Sequence, residues 1–577
     1  MRVLVRADAS TEIGSGHVMR CLALAAALRA RGAQVVFLSR LHPGHFSEHV
    51  KAQGFEVIAL PLGNPTAAGP RHARWLGASL DEEVQQVNAA LGSLSSWDWA
   101  VVDHYALDAR AERNLRAFAQ QVAVIDDLAD RPHDADVLLD ANLQLQPRRY
   151  EGLVPTNCRL LLGPRFALLR PAFLELRRQK PRLWPHPAVS ARRLLVSLGG
   201  GDPHNVTGLV LQALQRVASE NLHIDVVIGK SHPQAEEVAR LCAALPRAQL
   251  HVQTDQMAAL MQAADLMIGA PGISTWERCC LGLPAILIAI AHNQIEIGKG
   301  AGAERFAWFL GNAEALTIDA VASAIARMLA RPSLLARLSQ RGQRLVDGQG
   351  AARAAAALDR RLRLNVVSDE HSWLNRFLPP LLDGWKAAGH EVTWVHQVNA
   401  LGMGDCALFL SCGQLAGAAI LARNVHNVVV HESDLPRGRG WSPMTWQVLE
   451  GKACIPVTLF EAQLSVDSGP IYAQTQMQLQ GHELVDELRA LQAEATLRLC
   501  QWWVQNYPEA VQTACEQRGT PSTYPRRRAE DSRLDPALTL AEQFNLLRVV
   551  DNDAYPAFFD HHGVRYVLRI EKDRRSS

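Results

Sequence analysis

Short apolar runs rich in β-branched residues alternate repeatedly with Ala/Leu-rich stretches, and no other feature of the chain constrains its fold as much. "VLVRA", "QVVFLSR", "FEVIALPL", "WAVVDHY" and "VAVIDDL" form a first series of strand-like runs. Between the first two, "HVMRCLALAAALRARG" reads as a helix and closes on Gly32, the residue type expected just past a helix end. A Pro/Arg-rich crossing, "RRQKPRLWPHP", leads to a second series: "RRLLVSLGGGD", "HIDVVIG", "QLHVQT", "DLMIGAPG" and "PAILIAI". A third begins at "NVVSDEH" and continues through "HEVTWVHQV", "CALFLSC" and "NVVVHES". Strands separated by helices imply parallel pairing, so the expected fold class is α/β. Two Rossmann-like domains facing a cleft would be followed by a third Rossmann-like domain with a small C-terminal segment. The boundaries read as 1–155, 156–355, 363–510 and 511–577, with the Ala/Arg-rich "AARAAAALDRRLRL" (351–364) ending the first half.

Length agrees with this division, since 577 residues exceed one core and correspond to about three to four folding units. Lys+Arg 59 against Asp+Glu 58 leaves no basic field for nucleic acid, and Arg526, Arg527 and Arg528 read as a solvated loop. The 10 cysteines lack CxxC pairs and metal-ligand spacing, so reduced thiols and no metal site are expected. The chain enters a strand at once, and no apolar run approaches the ~18–20 residues of a membrane span. A soluble cytoplasmic protein with no membrane partner is the expectation.

In open α/β sheets, ligands sit at the carboxyl ends of strands, where helix N-termini present backbone N–H groups. In "EIGSGHVMR", Gly14 and Gly16 bracket a tight turn and His17 falls in the first turn of the helix, beside that crevice. In "GAPGISTWE", Gly272, Ser274 and Thr275 occupy a second strand-to-helix turn suited to a diphosphate. Glu277 lies one helical turn along, in reach of a ribose diol. Taken alone, a structural helix-start histidine and a capped helix with an ordinary Glu fit these residues as well.

Five motifs in order carry a resemblance that reaches over about residues 1–355: "RADASTEIGSGHVMRCLALA", "VVDHYALD", "VIDDLADRPHDADVLLDAN", "SLGGGDPHN" and "GAPGISTWERCCLGLPAILI". Together they resemble the UDP-2,4-diacetamido-2,4,6-trideoxy-β-L-altropyranose hydrolases of pseudaminic acid synthesis. The resemblance implies the two-domain GT-B fold and cleavage of the C1–O bond of a UDP-sugar, with inversion and without a metal. It implies that His17 is the general base that activates water, a task suited to an imidazole near neutral pH. It also places Asp8, Arg20, Tyr105, Asn293 and Gln294 around the sugar and diphosphate. A GT-B glycosyltransferase, with His17 acting on an acceptor hydroxyl, is the alternative, and UDP release without acceptor separates the two.

In the third series, a strand delivers His431 to a Pro/Gly-rich loop, and "VDSGPIY" offers Asp467 before a Gly turn. On these residues alone, a strand-end histidine and an Asx-turn aspartate suffice. "DCALFLSCGQL", "HESDLPRGRGWSP", "VDSGPIY", "RRRAEDSRLD" and "YPAFF", over about residues 363–577, resemble the folate-dependent formyltransferases, particularly those acting on nucleotide-linked amino sugars. The resemblance implies 10-formyltetrahydrofolate as co-substrate, a catalytic Asn–His–Asp set, and folate contacts from Ser433, Leu435 and Pro436. His431 and Asp467 match, but Val429 stands where the family has Asn. Asn427, two residues back on the same strand face, would lie about 6–7 Å from that position and cannot be assumed to substitute. A folate-binding module without turnover is the alternative reading of this half.

Overall fold

The first apolar run is a buried strand, Arg2–Ala7, with parallel neighbours on both sides, Gln34–Arg40 and Trp97–Asp103. Glu56–Leu60, Ala119–Ile125, Val137–Asp140 and Arg159–Leu162 complete a seven-stranded sheet in the order 3-2-1-4-5-6-7. A second parallel sheet repeats the plan with six strands in the order 3-2-1-4-5-6, its first strand being Arg193–Ser197 and its fourth Leu266–Gly269. Strands of such sheets are covered on both faces, which is why they read as continuous apolar runs. In each sheet the order reverses between strands one and four. The chain then leaves the sheet on opposite sides and opens a crevice at the carboxyl ends.

The computed structural model describes residues 1–66, 69–92, 96–143, 146, 148–179, 193–199, 201–217, 221–230 and 232–573. From residue 180 onward, the Pro/Arg-rich crossing lies outside these. The chain divides into two compact units, Met1–Leu358 and Asp359–Ser577. Within the first unit, the bodies are not cut where composition suggested. Strand Arg159–Leu162 still belongs to the first sheet, beyond residue 155. The helix Gly350–Asp359 returns to that sheet: Trp99 Nε1 donates to Leu358 O at 3.0 Å, and an Arg159 guanidinium nitrogen donates to Ala357 O at 3.0 Å. Its buried Ala354, Ala355, Ala356 and Ala357 allow this close packing. Two chain crossings thus join the two sheets.

The second unit holds a six-stranded sheet in the order 2-1-3-4-5-6. Its first four strands, Arg363–Val367, Glu391–Val395, Gly404–Phe409 and Asn424–His431, are parallel, whereas at one side Cys454–Glu461 pairs antiparallel with the fourth and Ile471–Gln478 antiparallel with the fifth. The helix Val485–Asn506 packs beside that side and buries Leu499, Cys500 and Trp503. Beyond it, Thr523–Tyr524 pairs with Arg439–Gly440, and Ala557–His561 with Val564–Leu568 forms a terminal hairpin. No described helix is long and apolar enough to cross a membrane.

Candidate active sites

The crevice of the first unit contains a cavity of about 230 Å³, lined from both sheets. From the first sheet come Gly16, His17, Arg20 and Tyr105, and from the second Gly272, Asn293 and Gln294. The helix Gly16–Arg29 starts at the crevice and presents His17 in its first turn. Its N-terminus passes so close to the second sheet's loop that a Cβ at Gly16 would stand 2.9 Å from Ile273 Cδ1. Gly14 shapes the preceding turn, its N–H donating to Ser10 O at 2.9 Å.

Across the switch point, Asp103 ends the fourth strand, and His17 Nδ1 donates to its Oδ1 at 2.6 Å. Arg20, one turn beyond His17, grips both oxygens of Asp103 at 2.6 Å and reaches Asp127 Oδ2 at 2.8 Å. The Tyr105 hydroxyl donates to Asp127 Oδ1 at 2.5 Å, and its ring meets the His17 ring edge-on at 4.5 Å. Burial pushes the Asp103 carboxyl up, but Arg20 and His17 outweigh it and hold it below the usual carboxylate range. Burial and the Asp127 charge raise the Tyr105 phenol, so it stays a proton donor. With Nδ1 committed to a carboxylate, the free lone pair of His17 is on Nε2. A proton arriving there neutralises the set formed by two aspartates, Arg20 and His17. The arrangement can accept a proton from a nucleophile in the cavity.

Several expected residues are not among those lining the cavity. Asp8 is not on the cleft: its side chain is fully buried, ion-paired to Arg6 at 2.5 Å, and it accepts the Arg40 N–H at 2.7 Å. Thr275 is also fully buried, its hydroxyl accepting the Gly272 N–H at 3.2 Å as part of the helix cap. Ser274 is half-buried in the first turn of that helix. Glu277 is paired with Arg170 at 3.2 Å. Burial pushes the Glu277 carboxyl up, an effect that Arg170 only partly offsets. Asp103 and Asp127 were missed as site residues. Each follows the apolar part of a quoted run, "VVDHY" or "VIDDL", so the signal was a carboxylate at the end of a strand-like run; the structure makes those strands neighbours and Arg20 bridges the two.

In the second unit, His431 ends its strand, and Nε2 donates to Gly438 O at 2.9 Å. Asp467 Oδ2 stands 3.8 Å from the same nitrogen and accepts the Gly440 N–H at 2.9 Å. The loop bridging the pair is tied down by Thr523–Tyr524, which pairs with Arg439–Gly440. Ser433 Oγ is buried without a hydrogen-bond partner among the described residues, and buried Leu435 and Pro436 follow it. Val429 packs against Leu435, Phe460 and Ile471. Asn427 spends its amide on Leu421 O at 2.9 Å, so it does not take the place of the family's Asn. Arg526 and Arg528 are exposed as a solvated loop requires, but Arg526 also lies over the Trp441 ring at 4.8 Å. Among the described residues, no three His, Cys, Asp or Glu side chains are grouped to hold a metal ion.

The first unit is thus a pair of doubly wound parallel sheets and the second a single mixed α/β sheet. The relatives divide in the same way. "Spore coat polysaccharide biosynthesis protein SpsG" of Bacillus subtilis is 27% identical over 364 residues, 62% of this chain and 98% of that protein. The UDP-2,4-diacetamido-2,4,6-trideoxy-β-L-altropyranose hydrolase of Campylobacter jejuni is 22% identical over 269 residues, 46% of this chain and 84% of that one. Methionyl-tRNA formyltransferase of Sorangium cellulosum is 31% identical over 111 residues, 19% of this chain and only 34% of that protein. Among solved structures, the glycotransferase of kitacinnamycin aligns with 62% of this chain and 98% of its own (TM-score 0.46, 19% identity). Methionyl-tRNA formyltransferase from Clostridium thermocellum aligns with 37% of this chain and 96% of its own (TM-score 0.31, 18% identity). No family model matches the chain.

Proposed function

We propose that the chain is a bifunctional enzyme of pseudaminic acid-type (nonulosonic acid) biosynthesis. Its second unit N-formylates the 4-amino group of a UDP-4-amino-4,6-dideoxy-N-acetyl-β-L-altrosamine-type sugar. Its first unit then hydrolyses the product, with inversion and without a metal, and releases UDP. The observation that carries this reading is the His17–Asp103 pair at 2.6 Å, in which buried Asp103 backs the His17 ring that lines the cavity. His17 Nε2 takes a proton from water as it attacks the anomeric carbon, while Asp103 fixes the ring and balances its charge. Asn293, Gln294 and the Gly272 turn would hold the sugar and diphosphate opposite, and Glu277 the ribose. The leaving diphosphate is already anionic and needs donors rather than a strong acid.

At the second site, 10-formyltetrahydrofolate would supply the formyl carbon. Ser433, Leu435 and Pro436 fit such a ligand, because Ser433 Oγ is a buried polar atom without a hydrogen-bond partner among the described residues. His431, with Asp467 beside it, would receive the proton lost by the attacking amine. Formylation comes first in this scheme, since the UDP handle is lost on hydrolysis. The test is incubation with the UDP-amino sugar, with and without 10-formyltetrahydrofolate, followed by mass spectrometry. Formylated UDP-sugar and then free formamido sugar with UDP are expected. Neither product, under conditions where folate binds, overturns the proposal.

A further inference from the structure

The cavity wall beside His17 is aromatic. Trp75, half-buried, lines the cavity and stacks on Tyr105 at 5.9 Å with an interplanar angle of 26°. His72 braces the Trp75 ring at 4.5 Å. The polar handles of both main rings are already used: the indole N–H donates to Glu12 Oε1 at 3.1 Å and the phenol O–H to Asp127. The wall therefore offers a ligand apolar ring surface and no donor. Indole and phenol faces of this kind suit C–H-rich groups.

The wall is also anchored. Trp75 belongs to the short turn Ala73–Leu76, which closes at Gly77 with φ +68°, where a Cβ would strike the His42 ring. His42 Nε2 lies 3.5 Å from Asp8 Oδ2, and His104 Nε2 lies 3.4 Å from the same oxygen. Asp8 thus braces the Trp75 turn on one side and the Asp103–Tyr105 strand end on the other.

We propose that Trp75 is the specificity-determining platform of the first site, selecting a hexose with a methyl group in place of the 6-hydroxymethyl. The inference rests on the reading of this site as a UDP-sugar hydrolase. Against the Trp75 and Tyr105 ring faces a methyl group loses nothing, whereas a hydroxyl turned towards them is stripped of water and gains no hydrogen bond from them. Apolar pockets discriminate against an added hydroxyl only modestly, about 10–100-fold.

The test compares UDP release from the UDP-linked 6-deoxy diamino hexose and from its 6-hydroxymethyl counterpart by the full-length protein. Wild type should favour the 6-deoxy sugar by about 10–100-fold in kcat/KM. Trp75→Ala should bring the ratio towards one, mainly by raising KM for the 6-deoxy sugar, and Trp75→Phe should restore most of the preference. An unchanged ratio in both variants overturns the platform, as does an equal loss on both substrates. Should wild type release no UDP at all, the hydrolase reading fails by itself. The Kd ratio for the two sugars, measured by calorimetry on wild type and Trp75→Phe, then decides the platform separately.

Discussion

Each unit has a histidine–carboxylate pair at its candidate site, and the two are built by different means. His17 and Asp103 touch at 2.6 Å and are locked by side chains, with Arg20 spanning Asp103 and Asp127. His431 and Asp467 stand 3.8 Å apart, and backbone groups of one loop, Gly438 O and Gly440 N, hold them. The first pair is a charge network that stays in register as long as two neighbouring strand ends do. The second depends on a loop whose position depends in turn on Thr523–Tyr524, more than 80 residues later in the chain. Side-chain locks concentrate sensitivity in a few residues, and backbone locks spread it over a segment.

The comparison is broken most directly at His17. His17→Ala should reduce UDP release by about 10²–10⁴-fold while leaving UDP-sugar affinity within a few-fold, read by single-turnover kinetics beside calorimetry. Wild-type turnover would remove His17 from the chemistry. At the other pair, His431→Ala and Asp467→Ala should each stop formyl transfer and leave UDP release untouched. Asp103→Asn against Asp467→Asn sharpens the contrast, since the shorter contact should give the larger loss in its own assay.

Smaller effects follow. Glu277→Ala should weaken UDP binding by roughly 10- to 100-fold, the range for a lost charge-assisted hydrogen bond. Because burial raises the Glu277 carboxyl, UDP affinity should fall on acidification before an ordinary Glu would protonate. Val429→Asn should not speed formyl transfer and should destabilise the protein by about 1–3 kcal/mol in denaturant titration, since an amide would be buried among Leu435, Phe460 and Ile471. Faster transfer would mean that the missing amide is the site's only defect. Finally, burial pulls the His133 imidazole down, but Asp126 and Glu112 outweigh it and raise it from 6.5 to about 9. A raised folded-state value stabilises below the unfolded one, so this contribution is complete below pH 6.5 and fades as pH rises through about 9. Thermal melts across that range check it, and no fall in melting temperature there would remove His133 from the account.

The parallel strands, the helix start at His17, the strand end at His431 and the turn after Asp467 were legible because continuous apolar runs and Gly-bracketed turns are local signals, whereas singling out His431 and Asp467 took the family resemblance. Strand Arg159–Leu162 was not singled out, and although 351–364 reads as helical in composition, its return to the first sheet was not legible, because its partners Trp99 and Arg159 are distant in sequence. Asp8 illustrates the same limit: nothing around it shows that Arg6 and two histidines from other turns enclose it. Val429 was readable as a departure from the family pattern, but the commitment of Asn427 to Leu421 O was not.

The helix Gly350–Asp359 also sets a timetable. Trp99 finds its acceptor 259 positions later and Arg159 its own 198 later. At about 5–20 residues per second of synthesis, the first sheet therefore waits on the order of 10–50 s for its last cover. During that interval Trp99 Nε1 and the Arg159 guanidinium are without these two carbonyl acceptors. The second body is completed in the same interval, so the N-terminal body, although made first, is the later of the two to close.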